Sequence, residues 1–180
     1  MNIDGDIKPR PPAKALVYLL GALGGVAGSA AAFYQEVHHG PWLMIVLVAP
    51  AIEEICKPIG VIFMLDKRSG WLTSSSQVVV MTLLGALVFA TIENLIYVLG
   101  HIDNATQLYL LWRFGICTMV HMIASGVFAV GLVKMWRHIR DQGGHFDIDI
   151  CFRYYVLAVV IHAAYNSSMV LLAWSGILKF

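Results

Sequence analysis

The stretch that decides the fold is APAIEEICKP, residues 49–58, in the middle of an apolar run from residue 41 to residue 65. That run has about the length a helix needs to cross the hydrocarbon core of a bilayer, roughly 20 residues. Glu53, Glu54 and Lys57 are costly there, because each charged group at mid-membrane costs at least about 2.5–3.5 kcal/mol. An apolar helix does not need these residues, so we expect the other helices to be arranged to use them.

The composition is that of a polytopic membrane protein. The chain has 180 residues, of which 59% are hydrophobic and 13% charged, whereas soluble domains are about a quarter charged. We expect an all-α transmembrane helical bundle, with a polar leader at residues 1–12 and a single bundle domain at residues 13–180. The net charge of +1 says nothing about nucleic acid, but the sequence has no basic patch interleaved with aromatic residues, so a nucleic-acid partner is not expected.

Five apolar runs predict about five spans, near residues 13–34, 41–65, 77–100, 107–136 and 154–178. The fourth run is long, and we expect it to be tilted, or broken near residues 113–115. The first run carries closely spaced glycines, which allow another helix to approach. Nine Lys and Arg residues lie in segments 1–14, 66–76 and 134–153, and none in 35–40 or 101–106. The positive-inside rule therefore predicts a cytoplasmic N-terminus and an external C-terminus.

A short polar set lies inside the predicted spans. Its members are Glu53, Glu54, Lys57, Glu93, Asn94, Arg113, His121, Ser125, His162 and Asn166. At about 1.5 Å of rise per residue, the glutamates and histidines fall in one band between the midplane and the outer leaflet. Groups this costly should meet rather than face lipid separately, so we expect one pocket. Asn94 and Ser125 are expected mainly to support packing.

Spacing and charge suggest how this pocket works. Glu53 and Lys57 are four residues apart and share a helix face, whereas Glu54 points about 100° away toward another neighbour. Three carboxylates share the site with one certain cation, Lys57. Neighbouring carboxylates in a low dielectric resist joint ionisation, so the set should titrate as a coupled group. A carboxylate poised to take a proton from water is what a general base requires.

Taken together, these motifs resemble a known family. Glu53-Glu54-x-x-Lys57, Phe89-x-x-x-Glu93-Asn94, Arg113 eight residues before His121, and His162-x-x-x-Asn166 are similar to the motifs of PrsW-type intramembrane proteases. These proteases belong with the CAAX-prenyl endopeptidases and bacteriocin-processing membrane proteins. The resemblance spans about residues 41–170. The chain departs from the CAAX pattern, which has an Arg one residue after Lys57 and a His in place of Glu93, and so a prenyl-protein substrate is not expected.

The resemblance implies a glutamate protease that uses neither a metal nor another cofactor. Glu53 would be the base that activates water, and Glu54 would support it or hold a neighbouring helix. Lys57 would lock the second helix and tune Glu53, with Arg113 and Asn94 as further supporting residues.

The remaining roles come from the same resemblance. His162 and Asn166 would donate to the oxyanion of the tetrahedral intermediate. Glu93 would position the water or share its proton, and His121 would be a second donor or a proton carrier. The implied partners are the lipid bilayer and a membrane-anchored protein substrate, such as an anti-sigma factor. The implied location is the prokaryotic inner membrane.

Other classes remain open. A zinc protease lacks the His-Glu-x-x-His motif, but Glu and His from several helices could hold a metal. A proton- or ion-coupled transporter also uses buried Glu, His and Lys, although no internal repeat is visible. A rhomboid-type serine protease would use Ser125 with His162, but Ile123 stands where that pattern requires glycine. The fourth alternative is a non-catalytic bundle.

Overall fold

The computed structural model describes residues 12–38, 44–100 and 106–176, and every regular element in these ranges is a helix. The elements are α1 (Lys14–His38), a first π segment (Met44–Val48), α2 (Ala49–Cys56), α3 (Ile59–Lys67), a 3-10 turn (Ser69–Trp71), α4 (Ser75–Gly100), α5 (Gln107–Leu111), a second π segment (Trp112–Cys117), α6 (Thr118–Gln142) and α7 (Asp149–Trp174). The all-α fold class is thus confirmed for the described residues. Apart from Pro12, the predicted leader lies outside them.

Within the described ranges, four helices are long and apolar enough to cross a membrane. They are Lys14–Tyr34, Ser75–Gly100, Gln107–Gln142 and Asp149–Trp174. α1 packs against α4, α4 against α6 and α6 against α7, while α2 contacts α1 and α7, and α3 contacts α1 and α6. The site-bearing second run therefore contacts α1, α6 and α7. Five spans, the orientation of the termini and the single-domain division stay predictions.

The long fourth run is one continuous helix of 36 residues, which passes through the second π segment. At about 1.5 Å per residue it measures roughly 54 Å, well beyond a hydrocarbon core of about 30 Å. The sequence-based end at residue 136 was too early, because the helix continues through a basic, polar turn to Gln142. It stops at Gly143, whose φ of 64° gives the left-handed cap that glycine adopts readily.

The second predicted span is not one continuous helix. A π segment leads into α2, which ends at Cys56, and α3 begins only at Ile59. Pro58 explains the interruption, because proline has no backbone N–H and its ring clashes with the preceding turn. The interruption lies directly after the two glutamates, so it affects where Lys57 can reach.

Glycines surround this interruption. A methyl group on Gly24 of α1 or on Gly85 of α4 would overlap the carbonyl oxygen of Lys57. A methyl group on Gly60 would likewise overlap the carbonyl oxygen of Leu20. The close approach expected from the glycines of the first run is therefore present, and it seats the interrupted helix against α1 and α4.

Basic segments meet at one end of the bundle. Trp136 Nε1 donates a hydrogen bond to the Leu72 carbonyl at 3.1 Å, and an Arg140 guanidinium nitrogen lies 3.5 Å from the Thr73 carbonyl. Below these contacts, Met64, Leu65 and other apolar side chains form the buried core. The loops that the positive-inside rule grouped together thus share one end of the molecule.

Candidate active site

Five of the predicted polar residues converge in the interior from three directions. The pocket is built from α2 and the residue that follows it, from α6 and from α7. The side chains are almost fully buried, with exposures of 4% or less: Glu53, Glu54, Lys57, His121 and His162. Glu93 reaches the same cluster from α4 through His121. The structure therefore brings together in one pocket the polar groups that are costly to expose to lipid, as expected from the sequence.

Glu54 is the most heavily bonded of the three carboxylates. Its Oε1 accepts from Lys57 Nζ and, at 2.9 Å, from His162 Nδ1. Its Oε2 accepts from Ser125 Oγ at 3.2 Å. Both oxygens are engaged, so Glu54 acts as the anchor that ties α2, α6 and α7 together.

Four-residue spacing places Lys57 on the helix face of Glu53, but the ion pair of Lys57 is with Glu54. Residues three positions apart share a helix face, just as residues four positions apart do. The helix also ends at Cys56, so Lys57 is not held to the face that four-residue spacing assumed. Any electrostatic effect of Lys57 on Glu53 therefore acts at a distance and not through a direct ion pair.

A second chain of contacts runs through His121. Lys57 Nζ lies 2.9 Å from His121 Nδ1, and because an ammonium only donates, Nδ1 is the acceptor. This assigns the remaining proton to Nε2, which donates to Glu93 Oε2 at 3.0 Å. Arg113 Nη2 lies 3.4 Å from the same Glu93 oxygen. Both nitrogens of His121 are thus occupied.

Glu53 differs from its neighbours because its Oε2 is buried and has no hydrogen-bond partner in the described part of the chain. His162 Nε2 faces it from 3.6 Å away. Since His162 Nδ1–H donates to Glu54, Nε2 of the neutral ring carries a lone pair. Two acceptors therefore face each other. Water, a proton or a metal cation placed between them would satisfy both.

The other predicted residues lie around this core. Asn94 is fully buried, and its Nδ2 donates to the Arg113 carbonyl at 2.8 Å and to Thr118 Oγ1 at 3.0 Å. It therefore stabilises the backbone of the second π segment. Asn166 is half-buried on α7, one turn beyond His162.

Two neighbours have larger roles than the sequence suggested. Ser125, expected only to pack, bonds Glu54. Phe89, quoted only as part of a motif, lies beneath Lys57, whose Nζ is 4.4 Å from the ring centroid. Its ring also meets His121 edge-on at a centroid separation of 5.1 Å. The spacing along the sequence could have indicated these roles, because residues four apart share a helix face. Ser125 lies four residues from His121, and Phe89 lies four residues from Glu93.

The pocket could also provide metal ligands. One ligand atom from each of Glu53, His121 and His162 lies within 4.8 Å of the others. Among the described residues Glu53 Oε2 has no hydrogen-bond partner, and His162 Nε2 faces it at 3.6 Å. A histidine whose other nitrogen donates to a carboxylate is typical of metal sites. His121 would have to give up its contact with either Lys57 or Glu93 to contribute. The donor set thus fits a metal ion through Glu53 and His162, with His121 as an exchangeable third ligand.

Comparison with known proteins agrees with this geometry. A family model described as PrsW family intramembrane metalloprotease matches residues 12–179, almost the whole chain. No curated protein and no solved structure matches the chain. The family model covers far more than half of the sequence, and the described part of the bundle has four apolar helices of membrane-spanning length. The chain is therefore an integral membrane protease of the PrsW family.

Proposed function

We propose that the protein is an intramembrane endopeptidase in which Glu53 activates the attacking water. The observation that carries this proposal is the unpartnered Glu53 Oε2, buried opposite His162 Nε2 at 3.6 Å. A buried acceptor without a donor is costly, by about 1–3 kcal/mol, unless a ligand supplies the donor. Water satisfies both acceptors, and it is also the second substrate of peptide hydrolysis.

Charge balance supports the division of roles. Three carboxylates, Glu53, Glu54 and Glu93, face two cations, Lys57 and Arg113, so one added proton makes the site neutral. Between Glu53 Oε2 and His162 Nε2, that proton serves both proposed partners. On His162 it makes Nε2 a donor for the oxyanion and leaves Glu53 ionised as the base.

The reaction then proceeds through proton transfers between named atoms. Glu53 takes a proton from water as the water oxygen attacks the scissile carbonyl carbon. The negative charge that develops on the carbonyl oxygen is stabilised by His162 Nε2–H, with Asn166 as a second donor one turn away. Glu53 returns the proton to the departing amide nitrogen as the C–N bond breaks, so that one water is consumed and base and acid are the same residue.

The other residues hold this pair in place. Glu54 orients His162 through Nδ1 and is itself held by Lys57 and Ser125. Glu93 holds His121 in the tautomer with the proton on Nε2, which offers a second donor or proton carrier at the edge of the pocket.

A metal-dependent version of the same hydrolysis is the second candidate. It is favoured by the facing atoms Glu53 Oε2 and His162 Nε2, 3.6 Å apart, and by the family's description as metalloproteases. Glu53, His162 and His121 would hold the ion, which when bound would lower the pKa of a coordinated water. In this version Glu54 still orients His162.

We also propose the finer setting of the activity. The substrate is a membrane-anchored protein of the anti-sigma-factor kind, and the enzyme resides in a prokaryotic inner membrane with five spans and a cytoplasmic N-terminus. The alternation of basic segments along the sequence supports this orientation. The motifs shared with CAAX endopeptidases support a common superfamily.

Cleavage of a single-span test protein by the purified enzyme tests the proposal. We expect a defined product, loss of at least a hundredfold in rate for Glu53→Gln, and an unchanged rate after dialysis against EDTA. Loss of cleavage in EDTA that zinc restores would establish the metal-dependent version. Full activity of Glu53→Gln would refute the general-base assignment, and Asp141→Asn at an exposed ion pair is the matched control.

A further inference from the structure

Arg113 is a buried cation, and two of its three side-chain nitrogens have no hydrogen-bond partner among the described residues. Its side chain is only 13% exposed. The two nitrogens are Nε and Nη2, and both are buried. Glu93 Oε2 lies 3.4 Å from Nη2, which makes an ion pair but not a hydrogen bond of acceptable geometry. The guanidinium charge is therefore neutralised by Glu93, but two of its nitrogen donors lack an acceptor.

The protein holds this guanidinium firmly in place. The cation lies 4.0 Å above the Tyr97 ring centroid. Its backbone belongs to the second π segment, and Asn94 Nδ2 binds its carbonyl at 2.8 Å. π segments inside helices occur often at functional sites, because they redirect a side chain without ending the helix. An arginine held this rigidly loses little entropy when it binds a ligand.

We propose that Arg113 binds a backbone carbonyl of the substrate beside the scissile bond, an inference that rests on the proposed peptidase function. Glu93 Oε2 contacts both Arg113 Nη2 and His121 Nε2, at 3.4 and 3.0 Å. The guanidinium thus lies within about two residues of extended chain from His121, at roughly 3.3 Å per residue. A peptide that reaches Glu53 and His162 passes within its range.

The charges of the pocket decide which acceptor fits. With the proposed proton on His162, the three carboxylates are already balanced by three cations, and Glu93 neutralises Arg113. A substrate carboxylate would add a second anion next to Glu93, whereas a peptide carbonyl accepts without adding charge. A transmembrane substrate must also unwind for cleavage, and its freed carbonyl groups then need donors in a medium without water.

Binding to a hydrolysis-deficient enzyme separates this inference from the catalytic proposal. We would measure the affinity of a fluorescent single-span substrate for Glu53→Gln protein, with and without Arg113→Lys. Lysine keeps the charge but lacks the planar pair of donors, so we expect affinity to fall about tenfold or more. Arg137→Lys, near the basic end of the same helix, is the matched control and should bind normally.

A second arm identifies the acceptor. Replacing a backbone amide near the cleavage site by a thioamide makes that carbonyl position a weaker hydrogen-bond acceptor. At the position that Arg113 binds, the thioamide should lower the affinity of the substrate for protein that carries Arg113. It should not lower the affinity for the Arg113→Lys variant. Equal sensitivity in both forms, or unchanged affinity of Arg113→Lys, would overturn the inference. Recovery of binding through a substrate Asp or Glu would instead assign a carboxylate. Activity in Glu53→Gln would refute the catalytic proposal alone.

If Arg113→Lys lowers the unfolding midpoint, Arg113→Gln with Glu93→Gln removes both charges and keeps the pocket balanced. That double variant should also bind substrate about tenfold more weakly in the Glu53→Gln background. Normal binding by a folded double variant would overturn the inference, because no guanidinium would then be needed.

Discussion

Replacing Lys57 by methionine should destabilise the protein strongly. The ammonium is fully buried, and it donates to Glu54, also fully buried, and to His121. Methionine has a similar length but leaves the Glu54 carboxylate without its cation in a low-dielectric interior. Removal of one partner of a buried ion pair costs about 3–5 kcal/mol, a large part of a typical total stability of about 5–15 kcal/mol.

Unfolding in mixed micelles, followed by circular dichroism, measures this cost. Lys67→Met is the matched control, because Lys67 pairs with Asp66 at 3.0 Å but the two side chains are 63% and 42% exposed. Such a surface pair contributes about 0–1 kcal/mol. We also expect Glu54→Gln to recover part of the loss in Lys57→Met, since the unpaired charge is then removed. Equal costs for Lys57→Met and Lys67→Met, or no recovery in the double variant, would refute the assigned pairing.

Two further substitutions test the packing and the anchor. Gly24→Ala should destabilise the bundle by about 1–3 kcal/mol, because its methyl group would overlap a backbone carbonyl. Gly126→Ala meets only a side chain at 3.9 Å, so it should be neutral or stabilise the helix by up to about 1 kcal/mol. Unfolding titrations compare the two variants, and equal effects would contradict the close packing. Ser125→Ala should cost about 1.5–3 kcal/mol, because it removes a bond to the Glu54 carboxylate, whereas the exposed Ser168→Ala should cost less than 1 kcal/mol. A Ser125→Ala variant as stable as Ser168→Ala would contradict the anchoring role.

The fold class and the meeting of the polar groups could be predicted from the sequence. Long apolar runs leave few alternatives to helices, because a backbone in lipid must satisfy its own hydrogen bonds. The cost of Glu53, Glu93, His121 and His162 in lipid, at similar depth, then predicted their convergence. Neither argument depends on atomic detail, and both need only lengths and charges.

The partners within the pocket could not be predicted with the same success. Four-residue spacing placed Lys57 on the face of Glu53 rather than Glu54, but that argument assumed a regular helix and gave no weight to three-residue spacing. Pro58 was an available signal for the interruption, since proline in a helix interior breaks the hydrogen-bond pattern. The first π segment left no comparable signal. For the second, the sequence indicated an irregularity near residues 113–115 but not its geometry, so the role of Asn94 as a partner of the Arg113 carbonyl required coordinates.

The contrast between stability and activity in Glu53→Gln tests the central claim most directly. No described residue forms a hydrogen bond with Glu53 Oε2, so neutralising the side chain should leave the unfolding midpoint unchanged or raise it. The rate of cleavage should nevertheless fall by at least about a hundredfold, the usual contribution of a general base. A Glu53→Gln protein that cleaves at the wild-type rate, or that loses activity only because it unfolds, would contradict the assignment of Glu53 as the base.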